Sequence, residues 1–250
     1  SAMALRQLAV LSEREGEVAK ALDWYEALAA RSDAPTRDEI AWTMADLAER
    51  GGLWPRAERA LVPLSDRSDL AAPVALQAGF RAADAIARQG RTAEARQRAD
   101  ATLDRYRAWR ARRGAATELT RADSLAAAAL LDLADRRGAA CAAVRLSDPL
   151  EQTLAEKGTA LNLALDTYAE AAELKIAGIT TAATHKIGVL LDDFLTALIE
   201  SERPRELTPE QVDQYNILLE EQAAPFEERA VSAYETNVRR AQELGVFDEW

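Results

Sequence analysis

The sequence predicts an all-α chain, an α-solenoid of antiparallel helix pairs followed by longer C-terminal capping helices. Three observations carry that expectation. The 48% of the chain that is hydrophobic is mostly alanine and leucine, with only 6% aromatic residues. Alanine and leucine cost least in a helix, whereas strands favour β-branched and aromatic side chains. Small residues recur in register around glycines over residues 4–146, and from 147 to 250 apolar residues fall mainly three, four or seven apart, as one face of a long helix requires. Ser1-Ala2-Met3 reads as an expression scar ahead of an abrupt helical start.

The register is set by Gly16, Gly52, Gly90 and Gly138, which lie 36, 38 and 48 residues apart. Seven residues before each stands Ala9, Ala45, Ala83 or Leu131, and five after each stands Ala21, Ala57, Ala95 or Ala143. Antiparallel helices cross closely only where the facing side chains are small, and a glycine between them supplies a left-handed turn without steric cost. Each pair leaves an apolar face that the next pair covers. Ala21, Tyr25 and Leu28 resemble the second-helix positions of a tetratricopeptide repeat, with Leu28 where that pattern has a small residue. The intervals lie near the tetratricopeptide period of about 34 residues. Asp33-Ala34-Pro35 is expected to end the first unit's second helix, the second unit runs from Arg37 to Leu64, and Ala71-Ala72-Pro73 introduces the third, whose second helix is expected over about 92–112. The fourth unit is expected to start near Thr117 and its short second helix to stop before Ser147-Asp148-Pro149.

Beyond that point Leu150, Leu154, Leu161, Leu165, Tyr168, Ala172 and Ile176 define one helix face, which Gly178 is expected to break. Thr180 or Thr181 would cap the next helix by accepting from a free amide, and it would run through Leu198 to a charged loop at 201–207. Thr208-Pro209-Glu210-Gln211 has the form of a capping box. Pro225 is expected to kink or break the helix that follows, because it lacks an amide donor and crowds the preceding turn. Gly245 should end it.

The stretches Thr180–Ile187, Leu219–Glu228 and Gly245–Trp250 resemble motifs of tetratricopeptide proteins of the bacterial envelope. These include proteins associated with gliding-motility machinery and with TonB/ExbB-type energy-transducing systems; Phe247 stands where the terminal motif has tyrosine. The resemblance implies a periplasmic or outer-membrane-associated assembly factor with no catalytic activity and no cofactor, whose partner is a protein or peptide. A cytoplasmic tetratricopeptide regulator is the alternative. An envelope enzyme would need a deep pocket joining His185 to several C-terminal glutamates.

The composition narrows the chemistry. Thirty-one basic against 42 acidic side chains give a formal charge of −11, which opposes the counterion replacement on which nucleic-acid binding depends. The arginines of 105–113 spread around a helix end, where cations complement the dipole. No apolar run approaches the length of a membrane span. His185 and Cys141 are the only residues of their kinds. Neither a catalytic triad nor a zinc site is readable around them, no intramolecular disulfide can form, and Cys141 among alanines reads as a small buried hydrophobe. Paired carboxylates such as Glu220/Glu221 and Glu227/Glu228 point about 100° apart on a helix and read as a solvated face.

One constellation points to a partner. Arg14, Arg50, Arg88 and Arg136 stand two residues before the turn glycines, preceded by Glu13, Glu49, Ala87 and Asp135; Asp46, Asp84 and Asp132 form a second column. By the tetratricopeptide resemblance these first-helix positions look into a concave groove, where alternating charge would grip a peptide. Cations in a helix's last turn also stabilise it through the dipole by roughly 0.3–1 kcal/mol, and both readings stay open. Trp42 and Phe80 fall nearby, either as groove anchors or as buried stacking residues, while Trp24, Trp54 and Trp109 are assigned to packing between units.

Overall fold

Residues 1–113, 118–147, 149–204 and 207–245 are described by a computed structural model. Among them the chain is all-helical, with ten helices and no strand. It divides into two compact units, Ser1–Leu125 and Ala126–Trp250.

The first unit contains α1 (Ala2–Arg14), α2 (Val18–Ala29), α3 (Ala34–Arg50), α4 (Trp54–Ser65), α5 (Ala72–Ala87), α6 (Thr92–Arg113) and the first turn of α7 (Arg121–Ala143). From α1 to α6 each helix packs on the next. The turns form where the glycines predict them: Gly16, Gly52 and Gly90 have φ of 75°, 68° and 79°. The flanking alanines fill the crossings, with Ala9, Ala21, Ala45 and Ala57 at 0% exposure and Ala83 and Ala95 at 5%. Asp33 caps α3 by accepting from the Thr36 amide at 3.1 Å.

Gly138 departs from the other three. It lies inside α7, which runs unbroken from Arg121 to Ala143, so no fourth hairpin turns there. The residues after Gly138 are mostly alanines with no cap among them, and the glycine stays helical beside Tyr168, whose hydroxyl a Cβ there would meet in ordinary contact at 3.4 Å. Leu131 and Ala143 therefore belong to the same helix as Gly138, rather than to two facing ones. The expected start at Thr117, like Asp148 and the terminal motif from Val246 onward, lies outside the described residues.

The second unit holds the rest of α7, α8 (Leu150–Glu173), α9 (Ala177–Ile199) and α10 (Pro209–Leu244), with α8 and α10 each packed on α9. The helix that opens at Leu150 ends at Glu173, before Gly178. Lys175 takes a left-handed φ of 56° and Gly178 sits in the first turn of α9. Thr180 and Thr181 do not cap it. Both are buried inside α9, where their hydroxyls donate to carbonyls of Ala172 and Gly178 at 3.2 and 3.1 Å. The Thr208–Gln211 capping box forms in both directions, and Gly245 closes α10 at φ 65°. Pro225 does not break α10, because Ala223 and Ala230 on either side are buried at 2% and 1% and hold the helix down. Lys157, 4% exposed, caps the end of α7 by donating to the carbonyls of Cys141 and Val144, each at 2.9 Å. Cys141 is free and buried.

Four tyrosines tie neighbouring helices through carboxylates. Tyr25 donates to Glu13 at 2.5 Å, and Tyr106, Tyr168 and Tyr234 donate to Asp123, Asp135 and Asp192 at 2.7 Å. Burial, reinforced by the adjacent carboxylate, makes each phenol harder to ionise, and pushes Tyr25 and Tyr234 up to about 12. An unfolded tyrosine ionises near pH ~10. The raised folded value therefore contributes stability that is complete below that pH and is lost as pH climbs through about 12. The urea midpoint should fall steeply from pH ~10 to ~12, and Tyr25→Phe and Tyr234→Phe should each flatten the fall. A slope unchanged in both variants would remove the tyrosines as its cause.

Candidate partner-binding surface

In the first unit the charged columns lie on α1, α3 and α5. Arg14 is exposed in the last turn of α1 and makes no hydrogen bond or ion pair with a described residue. Arg50 is exposed at the end of α3, its Nε donating weakly to the Asp46 carbonyl at 3.3 Å. Arg88, at the end of α5, pairs with Asp84 at 3.0 Å and lies over the Trp54 ring at 4.7 Å. The dipole position and an exposed charged station thus coincide at Arg14, Arg50 and Arg88. Asp132 and Arg136 pair at 3.0 Å but lie well inside α7, away from any turn, so they do not continue the hairpin-end column.

Arg81, which no local spacing singles out, organises this surface. It is 7% exposed on α5, donates to Asp46 at 2.5 Å and to Glu49 at 2.9 and 3.0 Å, and sits over the Trp42 ring at 5.3 Å. Burial disfavours its charge, but the two carboxylates outweigh burial and its pKa is raised. Asp46 and Glu49 are thereby turned toward α5, and one face of the half-buried Trp42 is already covered. Phe80 is not an exposed anchor: it is 5% exposed and meets the Tyr106 ring edge-on at 6.4 Å. Of the expected anchors, then, Phe80 is core and Trp42 is shared with Arg81.

The arginines of 105–113 are only partly solvated. Arg110 donates to the Tyr106 hydroxyl at 3.0 Å, and Arg113 reaches Asp123 at 3.2 Å while lying 4.9 Å from the Trp109 ring centre. They close the end of α6 onto the start of α7.

The second unit has a cleft of about 650 Å³, with Leu165, Ala172 and Leu191 in its apolar lining and Arg229, Arg240 and Glu228 among its charged groups. Arg240 donates to the buried Thr184 hydroxyl at 2.6 Å. His185 does not line this cleft; its ring lies 5.8 Å from that of Tyr234. Of the four paired glutamates only Glu228 reaches it. Among the described residues no group of three or more histidines, cysteines and carboxylates is placed to hold a metal ion, and no helix is long and apolar enough to cross a membrane.

Compared with known proteins, the chain matches no family model, and no curated sequence matches it.

Proposed function

We propose that the chain is a non-catalytic scaffold of tetratricopeptide-type helix pairs, an α-solenoid in its repeat region, that holds a protein or peptide along its first helices. Three left-handed glycines, each flanked by buried alanines, support the repeat reading. The observation that carries the binding reading is the recurrence of exposed charge on α3 and α5. Arg50 and Arg88 stand 38 residues apart at equivalent stations, with Asp84 beside the second. Such a ladder favours an extended or helical segment bearing both signs of charge, since rim charges set encounter and register. The placement in a bacterial envelope assembly, periplasmic or outer-membrane-associated, rests on the C-terminal motifs of residues 180–187, 219–228 and 245–250.

The test uses the chain as bait in envelope extract beside an Arg50→Glu/Arg88→Glu variant whose helicity and urea midpoint are matched to it. Reversing two rim charges is expected to lower retention of the principal partner about tenfold at physiological salt, less in high salt. Equal retention of the same partner by both baits would overturn the groove.

A further inference from the structure

The outward side of α10 carries an apolar row that nothing among the described residues covers. Ile217, Ala224, Val231 and Val238 follow one another at seven-residue steps, and the three larger side chains are 56%, 51% and 60% exposed. Leu218, 57% exposed, widens the row at its start. The inward side of the same helix is a different set, Leu219, Ala223, Ala230 and Ala233, buried at 6%, 2%, 1% and 9%. Packing against α9 therefore does not account for the outer row. A strict seven-residue step is the period at which a helix keeps one seam against a partner helix. From Ile217 to Val238 the seam spans about 32 Å at 1.5 Å per residue.

Charge selects the occupant. Positions three and four residues after the row members bring Glu220 and Glu227 along one flank and Glu221, Glu228 and Glu235 along the other. None of these five carboxylates makes an ion pair or hydrogen bond with a described residue. Like charges at this spacing oppose one another on a helix, so from Ile217 to Val231 the row is bordered by negative charge on both sides; Arg239, four residues after Glu235, is the one cation beside its far end. A second copy would set glutamate against glutamate, and an anionic membrane would be repelled as well. We propose that this face of α10 docks an amphipathic helix of another protein, one whose own seven-residue apolar row is flanked by lysine and arginine. The site lies in the second unit and stands independently of the charged face of the first.

The probe is a synthetic four-heptad helical peptide with leucine in its apolar row and lysine on both flanks, beside a twin carrying glutamate in place of lysine. Binding is read by fluorescence anisotropy at physiological salt. The chain should bind the lysine peptide and not its twin. The decisive variant is Val231→Asp/Val238→Asp, which adds negative charge at exposed sites and should leave the helicity intact. General electrostatic attraction would make that variant bind the lysine peptide more tightly. Docking on the apolar row would weaken it by about tenfold or more, because two valines lose their burial. Equal or tighter binding by the variant, or equal binding of the glutamate twin, overturns the proposal. So does a dimer of the chain at neutral pH that Val231→Asp dissolves, since the face would then belong to a second copy.

Discussion

Arg81→Ala should lower the stability of the chain by about 2–3 kcal/mol, one of the two largest losses expected from a single substitution. The guanidinium is nearly out of water, and it spends its donors on Asp46 and Glu49 of α3 while its plane covers Trp42. Removing it deletes charge-assisted bonds between two helices that are not neighbours in sequence, and opens a void beside the indole. The full cost of stranding a buried ion, about 3–5 kcal/mol, does not apply, because the carboxylates left behind can hydrate: the Asp46 side chain is 60% exposed and that of Glu49 28%. Arg81→Met separates the parts, since it keeps most of the stem packing and loses only the charge. It should cost about 1 kcal/mol. Urea midpoints measure both, and near-ultraviolet dichroism reports the Trp42 environment. If alanine and methionine both match the parent, the network links the helices without stabilising them.

Arg81 also shows where reading the sequence stops. Its acidic partners stand in the in-phase columns, visible from spacing alone, but they lie 35 and 32 residues away from it. Only the stacking of α5 on its neighbours brings the three groups together. Features set within one turn were legible: the Thr208–Gln211 capping box, and the glycines at 16, 52 and 90 with their buried alanines. Gly138 was read by the same rule and obeys another. A glycine that turns the chain and one that stays inside a helix look alike in sequence, and what separates them here is the backbone: Gly16, Gly52 and Gly90 take positive φ, while α7 runs on through Gly138 into an alanine-rich stretch. Gly178 and Pro225 differ from expectation in opposite ways. The chain does break near Gly178, but at 174–176, so the glycine opens α9, whereas at Pro225 burial of Ala223 and Ala230 keeps α10 continuous.

The same distinction bears on the two binding faces. Exposure cannot be read from residue type: Phe80, an aromatic candidate alongside Trp42, goes to the core, while Val231 and Val238 of α10 are on the outside. The arginine column was legible because it repeats with the hairpins. The glutamate-bordered seam reads in sequence only as a solvated face, since its apolar row becomes distinct once Leu219, Ala223, Ala230 and Ala233 are known to turn inward on another side of the helix.

Gly188→Ala is expected to cost about 2–3 kcal/mol, although alanine is the better helix former. Gly188 lies in α9 where α10 crosses it, and a Cβ there would fall 2.5, 2.7 and 2.9 Å from three carbons of the Tyr234 ring. The ring has little room to retreat, because its hydroxyl is held by Asp192 at 2.7 Å and the His185 ring stands beside it. The two helices must separate or the hydroxyl must let go, and hydrogen exchange along α10 should quicken in consequence. Tyr234→Phe should relieve the clash only in part, since it frees the ring from Asp192 but leaves it in place beside His185. Combining Gly188→Ala with Tyr234→Ala should cost less than the sum of the two single changes by at least about 1 kcal/mol, as expected for residues in direct contact. Gly158 provides the opposite sign: it lies inside α8 with nothing within 4 Å of a built Cβ, so Gly158→Ala should stabilise by about 0.5–1 kcal/mol. Stabilisation by alanine at both glycines would mean that α9 and α10 do not cross as closely as the Tyr234 ring requires.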